Sequence, residues 1–300
     1  MEKKCLFIGS KQLGLSVLRA IYSTNPKSLV GCITINDIDD CRSSLDGFKE
    51  FCNSNNVNNK VINKPSELEK CIEIYKPDFC LVVGWYWILS ENLLNLCKDG
   101  FVGIHASLLP SYRGFAPLVW AVINGERQTG VSLFYFDKNM DEGDIIQQKI
   151  IKIEESDYIS NVLEKANNAS VELIFENYPL LIEGKANRFM QDTVGVSYCS
   201  QRKAEDGKIN WNNNKEYIYN FIRAQSHPYP GAFFIDGTGQ KITIYEAEIF
   251  PYPYYGIPGQ ITNIEGDRIT VCCKNGAVII KPQISKEEIK NRLKFGQKLE

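Results

Sequence analysis

Short runs of apolar residues alternate with amphipathic segments through the first 105 residues. Runs that are apolar at nearly every position are typical of strands buried on both faces, and they lie at 5–9, 29–35, 60–63, 78–84 and 100–105. Between them, apolar residues three and four positions apart predict helices at 14–23, 45–52 and 66–75. This alternation predicts an α/β domain: a Rossmann-like parallel sheet with helices on both faces.

The pattern changes along the rest of the chain. Two more strands are predicted at 129–136 and 144–153, followed by one long helix over about 157–184. Polarity rises after residue 187, and a helix is predicted at about 215–225. From Phe233 onward, short alternating segments separated by turns indicate a small antiparallel barrel or sandwich. We therefore predict two domains, 1–200 and 201–300.

Composition narrows the partners and the compartment. The 300 residues carry a net charge of −2, which gives no general attraction to nucleic acid or to anionic lipid. No apolar run reaches the ~18 residues of a membrane span, and none resembles a secretory segment. Ten cysteines are scattered without a CxxC pair, so we interpret them as free buried thiols. The sequence thus predicts a reduced, cytoplasmic protein without membrane partners.

Two loops carry the residues most typical of chemistry. The first is GIHASLLPSYRG (103–114), in which His105, one of only two histidines, ends a predicted strand. Ligands of parallel sheets bind at this end of the strands, and imidazole exchanges protons near neutral pH. The second is DEGDI (141–145), whose Asp141 and Asp144 are either turn residues or carboxylates that orient His105. Asp141 is favoured, because the chain can approach a ligand closely at Gly143. Together they predict an acid/base site in an enzyme.

Other residues allow two interpretations each. Arg113 either forms a surface turn or presents its guanidinium to an anionic ligand, with Pro110 stiffening the loop. The run Trp85-Tyr86-Trp87 either fills the core or forms an aromatic wall for a flat heterocycle. No phosphate-binding glycine loop is present, and no group of residues has the spacing of metal ligands, so no metal is predicted.

The segment from His105 to Ile146 resembles the signature of folate-dependent formyltransferases, which use 10-formyltetrahydrofolate as cosubstrate. The resemblance is long, because loop, helix, strand and D-x-G loop follow in register. It continues through RKAEDGKINW, YIYNFIRAQSHPYPGAF and PGQITNIEGDRITV, which are similar to the small C-terminal barrel of that family. It implies a Rossmann-like formyltransferase domain followed by an OB-like antiparallel barrel.

The resemblance also implies roles for individual residues. His105 and Asp141 match the catalytic His and Asp of the family, but Gly103 stands where the family has Asn. That Asn is taken to donate to the developing oxyanion, and losing one such donor typically costs about 2.7–4 kcal/mol. Either another donor replaces it or the chain is a non-catalytic binder, and the intact surroundings favour a working variant. The residues implied to contact the folate are Trp85, Tyr86, Trp87, Ile88, Pro110, Ser111, Tyr112, Arg113 and Asp137. Ser107, Arg202 and Tyr229 are expected to contact the acceptor, although Arg202 and Tyr229 also fit a contact between the two domains.

The acceptor in this family is mainly either initiator methionyl-tRNA or an amino-sugar nucleotide. A tRNA-binding surface needs clustered cations, whereas residues 201–300 hold fourteen Lys and Arg, spread among eleven Asp and Glu. The loop NDIDDCRSSLDGF (36–48) is acidic. We therefore expect a nucleotide-linked amino sugar as substrate, no nucleic-acid partner, and a function in cell-surface polysaccharide biosynthesis. Methionyl-tRNA formylation is the alternative, and a homodimer is left open.

Overall fold

The computed structural model describes residues 2–300. In the first half of the chain, the strands are β1 Cys5–Gly9, β2 Leu29–Ile35, β3 Asn59–Ile62, β4 Phe79–Val83, β5 Phe101–His105 and β6 Arg113–Gly114. The helices there are α1 Lys11–Thr24, α2 Leu45–Ser54, α3 Ser66–Tyr75, α4 Glu91–Leu94 and α5 Pro117–Ile123. They are followed by β7 Gln128–Tyr135, β8 Ile145–Lys152, α6 Ile159–Glu183 and β9 Tyr198–Cys199.

The remainder contains a short 3₁₀ turn at Ala204–Gly207, then α7 Lys215–Ala224 and a terminal helix α8 Lys286–Arg292. Its strands are β10 Ala232–Ile235, β11 Lys241–Ile249, β12 Ile261–Glu265, β13 Arg268–Cys273 and β14 Gly276–Pro282.

The main sheet has seven strands in the order β3-β2-β1-β4-β5-β7-β8. The first five are parallel, which confirms the predicted α/β class. Strand β7 pairs with β5 in the antiparallel direction, with His105 opposite Ser132 and Val102 opposite Tyr135. The last residues of β7 therefore lie beside the start of β5, at the end of the strands far from His105. The loop after β7 has to run back along β5 to bring Asp141 to the histidine.

Strand β5 presents alternate residues to one face of the sheet. Phe101 belongs to a buried apolar cluster formed with β1, β2, β4 and α3, against which Trp85 and Phe136 also pack. Gly103 and His105 are two and four positions further along β5, so they point to that same face. The catalytic candidates therefore lie on the face of the sheet that carries this cluster.

The second sheet is antiparallel, with five strands in the order β10-β11-β14-β13-β12. The last residues of the chain hydrogen-bond to both edges of this sheet. The Ile235 N–H donates to the Glu300 carbonyl (2.8 Å), and the Ile261 N–H donates to the Gln297 carbonyl (2.8 Å). The structure thus shows the predicted antiparallel sheet, with a terminal segment bonded to both β10 and β12.

The chain divides into two compact units. The first comprises the residues up to Gly114, Thr129–Lys152 and Glu164–Tyr198; the second comprises Phe115–Gln128, Ile153–Leu163 and Cys199–Glu300. No helix within residues 2–300 is long and apolar enough to cross a membrane.

Candidate active site

His105 is the last residue of β5 and is 8% exposed. Its Nε2 lies 2.8 Å from the backbone carbonyl oxygen of Tyr112. A carbonyl only accepts, so this contact places a proton on Nε2 and leaves Nδ1 as the nitrogen that can take up another. Nδ1 faces Asp141, whose Oδ2 lies 3.5 Å away. The site therefore offers a base at Nδ1 and a carboxylate beside it to balance the charge of the imidazolium.

Asp141 lies in the loop between β7 and β8 and has a φ of 53°. This left-handed conformation is uncommon for residues other than Gly, although Asp and Asn tolerate it best. Its Oδ2 accepts a hydrogen bond from the Gly114 N–H (2.7 Å), which ties the carboxylate to the loop that follows His105. Two residues later, a Cβ at Gly143 would collide with the Tyr135 carbonyl. The D-x-G pattern is therefore required by how closely this loop approaches β7.

Gly103 lies two residues before His105 and points to the same face of the sheet. A Cβ at this position would overlap the ring of Phe136, with Cζ only 2.9 Å away, and would lie 3.1 Å from the Val82 carbonyl oxygen. Phe136 in turn packs against Phe134 at a ring-centroid distance of 5.0 Å. A phenyl ring thus occupies the space that an Asn side chain at residue 103 would need.

The loop between His105 and Gly114 is held by hydrogen bonds within the loop and by hydrogen bonds to residues 195–197. The buried Ser107 hydroxyl donates to the Ser111 carbonyl (2.6 Å), and the Ser111 hydroxyl donates to the Gly195 carbonyl (2.9 Å). The Tyr112 N–H donates to Ser197 Oγ (2.8 Å), and the Pro110 carbonyl accepts from the Ser197 N–H (3.3 Å). The predicted ligand contacts of Ser107, Pro110, Ser111 and Tyr112 stay predictions, whereas their contacts within the protein position the loop.

Arg113 is 6% exposed, and its guanidinium is bonded within the first unit. Nε and Nη2 donate to Gln191 Oε1 (3.2 and 2.7 Å), while Nη1 donates to Glu142 Oε1 (2.8 Å) and to the Tyr198 hydroxyl (3.1 Å). The Tyr198 hydrogen bond and the Arg113 charge also hold the pKa of Glu142 below its usual range. These contacts give Arg113 a structural function, and its predicted contact with a folate stays a prediction.

The aromatic run follows directly after β4, and β4 and β5 are parallel neighbours. Trp85 to Ile88 therefore start at the same edge of the sheet as His105. Trp85 and Trp87 are half-buried with their rings edge to face at 5.1 Å, whereas Tyr86 and Ile88 are exposed. The Trp85 indole nitrogen is buried and has no hydrogen-bond partner among residues 2–300. The run thus combines apolar surface with one unused donor.

The three remaining predicted residues lie elsewhere. Asp137 is exposed in the loop after β7, and its Oδ1 accepts from the Lys138 N–H (2.7 Å). Arg202 and Tyr229 belong to the second unit. Arg202 donates to Gln225 Oε1 (2.7 Å) and lies over the Trp120 ring at 4.9 Å. The structure shows what these residues contact within their own units, and their ligand contacts stay predictions.

Three residues that support the site are not among the sequence predictions. Ser132, fully buried opposite His105, accepts from the Leu109 N–H (3.1 Å) and donates to the Ser107 carbonyl (2.6 Å). Gln148 donates to both Ser132 Oγ (2.7 Å) and the Leu109 carbonyl (2.9 Å). Gln191 joins Arg113 to the Asp141 loop. Polar residues inside a strand or a connector give no sequence signal of this kind, because only the tertiary structure brings them to the loop: Ser132 through the register of β5 and β7, Gln148 from β8, and Gln191 from the connector after α6.

A further ionic cluster joins the start of α1 to the loop after β2. Lys11 Nζ pairs with Asp37 (2.6 Å) and Asp40 (2.8 Å), and it lies 5.6 Å from the centre of the Tyr86 ring. Hydrogen bonds from Arg42 and Lys11 hold the pKa of Asp40 well below its usual range. Both cations are therefore paired with carboxylates. Within residues 2–300 we find no group of three or more His, Cys, Asp and Glu residues placed to hold a metal ion.

Comparison with known proteins gives two family matches. A family described as "Formyl transferase" matches residues 41–177, and "Formyl transferase, C-terminal domain" matches residues 202–294. Among solved structures, WlaRD, a sugar 3N-formyl transferase crystallised with dTDP and 5-N-formyl-THF, has a TM-score of 0.69 at 19% identity. That likeness covers 94% of this chain and 98% of WlaRD. An N-formyltransferase from Helicobacter canadensis, in complex with folinic acid and dTDP-3-aminofucose, gives 0.69 at 20% identity, covering 93% and 99%. At such identities these two structures establish the fold.

Relatives found by sequence have higher identities to this chain than these two solved structures have. The bifunctional polymyxin resistance protein ArnA of Wigglesworthia glossinidia brevipalpis is 37% identical over 240 residues, which is 79% of this chain but only 35% of ArnA. The methionyl-tRNA formyltransferase of Staphylococcus aureus (strain MW2) is 37% identical over 217 residues, 72% of this chain and 68% of the relative. With both family matches and this coverage, the chain belongs to the formyl transferase family and is an enzyme of formyl transfer.

Proposed function

We propose that this enzyme transfers the formyl group of 10-formyltetrahydrofolate to the amine of a nucleotide-linked amino sugar. The observation that carries the chemistry is the pairing of His105 with Asp141. The Tyr112 carbonyl fixes one proton on His105 Nε2, and Asp141 lies beside the free Nδ1. This is the arrangement of a base whose protonated form is electrostatically balanced.

The residues act on the acceptor amine in two ways. As the amine nitrogen attacks the formyl carbon, His105 Nδ1 takes a proton from it, directly or through one water, and can return that proton to the departing nitrogen. The hydrogen bond from Gly114 keeps the Asp141 carboxylate aimed at the ring. Residue 103 has no side chain to donate to the formyl oxygen, so we assign that donation to His105. Once Nδ1 has taken the amine proton, its N–H donates to the oxyanion of the tetrahedral intermediate and then passes the proton to the departing nitrogen.

The residues after β4 fit a folate. A pterin is flat and rich in acceptors, and the half-buried Trp85 and Trp87 rings provide apolar surface beside the unpartnered Trp85 N–H. When bound, 10-formyltetrahydrofolate supplies the electrophilic formyl carbon. We propose that residues 85–88 and the 110–113 loop hold it next to His105, with no metal involved.

The choice of a sugar nucleotide rests on charge. Two cations near the β1 and β2 ends, Lys11 at the start of α1 and Arg42 in the loop after β2, are already paired with Asp37 and Asp40. Residues 201–300 spread fourteen cations among eleven carboxylates. Neither surface offers the concentrated positive charge on which tRNA affinity depends. The solved structures that share this fold include two sugar formyltransferases bound to dTDP compounds, which supports the same choice.

Methionyl-tRNA formylation is the second candidate, because the match to the Staphylococcus aureus methionyl-tRNA formyltransferase covers 68% of that relative. The two functions predict different salt dependence. Formylation of tRNA should weaken steeply as salt rises, whereas turnover of a small sugar nucleotide should depend on it weakly.

The experiment is a turnover assay with 10-formyltetrahydrofolate and a panel of dTDP- and UDP-linked amino sugars, with charged initiator methionyl-tRNA in parallel. We expect tetrahydrofolate release with a sugar nucleotide and none with the His105→Asn variant, which should still bind folate. Turnover with tRNA alone would refute the assignment of the acceptor. Folate binding without turnover on any acceptor would indicate a non-catalytic binder.

Three further assignments complete the proposal. We assign catalysis to a domain of residues 1–200 and an OB-like barrel fold to residues 201–300, supported by the terminal segment that is bonded to both β10 and β12. The ten cysteines, all free, fit a reduced cytoplasm. A homodimer stays open, and size-exclusion chromatography with light scattering decides it.

A further inference from the structure

Gln191 lies between the two loops that carry the catalytic candidates. It is 8% exposed, and all four hydrogen-bonding positions of its carboxamide are used. Its Oε1 accepts from Arg113 Nη2 (2.7 Å) and Nε (3.2 Å). Its Nε2 donates to the backbone carbonyls of Asp141 and Gly143, both at 2.8 Å. A single side chain thus bonds one loop through a guanidinium and the other through its backbone.

These hydrogen bonds link His105 and Asp141 to each other in a closed series. His105 Nε2–H donates to the Tyr112 carbonyl, and the next two residues, Arg113 and Gly114, bond to Gln191 and to the Asp141 carboxylate. The Asp141 carbonyl returns to Gln191. Histidine and aspartate are therefore tied to each other through a closed series of hydrogen bonds.

Asp141 needs such support because of its own backbone. A left-handed φ of 53° is held in place only when neighbouring contacts over-determine it. Gln191 bonds the carbonyls on both sides of Glu142, so it fixes the orientation of the peptides that follow Asp141 and Gly143. The carboxylate of Asp141 stands 3.5 Å from His105 Nδ1, and a small rotation of the loop would open that distance.

We propose that Gln191 is a positioning residue for formyl transfer: it holds the Asp141 loop in the conformation that places the carboxylate beside His105. The inference rests on the proposed function of His105 and Asp141 as the acid/base pair. Gln191 itself does not contact the reacting atoms. Its effect passes through Asp141, so its loss should lower the rate of the chemical step more than it weakens substrate binding.

Two variants test this. Gln191→Met keeps the unbranched shape but removes every hydrogen bond. Gln191→Glu keeps the acceptor for Arg113 and replaces the donors to the 141 and 143 carbonyls. We expect kcat to fall by about 10- to 100-fold in both, since small misplacements of catalytic groups have effects of this size. KM for the folate should stay within about twofold. The matched control is Gln147→Met on β8, where Gln147 bonds to Glu176 and Asn177 on α6, and wild-type kcat is expected.

NMR of the histidine side chains separates positioning from general loss of structure. The chain has two histidines, His105 and His227, so the two imidazoles are readily resolved. In both Gln191 variants the His105 ring resonances should shift while those of His227 remain, with the Tm within about 4 °C of wild type. Wild-type kcat, or His105 resonances that move no more than in the Gln147→Met control, would overturn the proposal. Failure of both variants to fold would also overturn it, because Gln191 would then be needed for folding.

The spectra are recorded on the free protein, so they do not depend on the acceptor. If the wild type formylates no acceptor, the proposed function fails, and the His105 resonances still decide whether Gln191 positions the site.

Discussion

The pairing of Gly103 with Phe136 gives a prediction that can be worked through in free energy. In Gly103→Ala the new Cβ would overlap the Phe136 ring, at a separation that real Cβ atoms essentially never show. The Val82 carbonyl oxygen, at 3.1 Å, is also closer than in most real Cβ contacts, so the ring has to move. Moving it loosens the contact with Phe134, and overpacking of this kind typically costs about 1–3 kcal/mol.

The same substitution should be harmless once the ring is gone. In a Phe136→Ala background the overlapping ring is gone and the Val82 carbonyl oxygen stays 3.1 Å from the added methyl. Ala is favoured over Gly inside a strand by roughly 0.5–1 kcal/mol, which offsets that contact. Gly103→Ala should then cost about zero. The two effects differ by about 1–3 kcal/mol, which is the coupling energy that a double-mutant cycle should measure.

Urea unfolding of the wild type, the two single variants and the double variant gives this coupling directly. Additivity within about 0.3–0.5 kcal/mol would refute the reasoning, because it would mean that the Phe136 ring can move aside without loss of stability. Because Asn places its Cβ at the same point, a coupled result also explains why this chain cannot simply regain an Asn at residue 103.

Three further predictions concern single side chains. Asp141→Asn retains an acceptor for the Gly114 N–H but loses its charge, so kcat should fall about 10²–10⁴-fold. Its free energy of unfolding in urea should match that of the wild type, and a marked loss of stability would contradict the prediction. Gly143→Ala should cost at least ~1–3 kcal/mol in the same unfolding experiment, because its methyl collides with a carbonyl of β7; wild-type stability would contradict the collision. Burial alone would raise the pKa of Asp236, but hydrogen bonds from Thr238, Gln240 and Arg292 hold that pKa well below its usual range. The Asp236 carboxylate therefore stabilises the fold above an unfolded-state pKa near ~3.9, and this contribution is lost as the pH falls through the lowered pKa. Thermal unfolding of Asp236→Asn against wild type should show a Tm difference that is constant above about pH 5 and shrinks below about pH 4; a difference that grows in acid would contradict the assignment.

The sequence predicted the parts of this protein that depend on local pattern. Each continuous apolar run of the first half became a strand within one or two residues of its predicted bounds, since such runs can only be buried on both faces of a sheet. His105 was selected as a candidate for the same reason, because it ends one of them. The D-x-G loop was selected because its turn chemistry is local.

What the sequence did not show depends on pairing between distant segments. Nothing in the residues of β7 states that it runs antiparallel to β5, and only that pairing explains why Ser132 supports the His105 loop. Gln191 lies in a connector that looks merely polar, yet it bonds both loops that carry the catalytic candidates. The sequence also could not show that the Phe136 ring covers Gly103, because the two residues lie 33 positions apart in the sequence.

The most direct test of the central claim is the mass of the acceptor after reaction. Purified enzyme, 10-formyltetrahydrofolate and the amino-sugar nucleotide panel are incubated with wild type and with His105→Asn, and the acceptors are analysed by mass spectrometry. The account predicts that the wild type replaces one amine hydrogen of a sugar nucleotide by a formyl group, and that the variant, although it binds folate, does not. A formylated sugar nucleotide from the variant at the wild-type rate, or formylation of methionyl-tRNA alone, would contradict it.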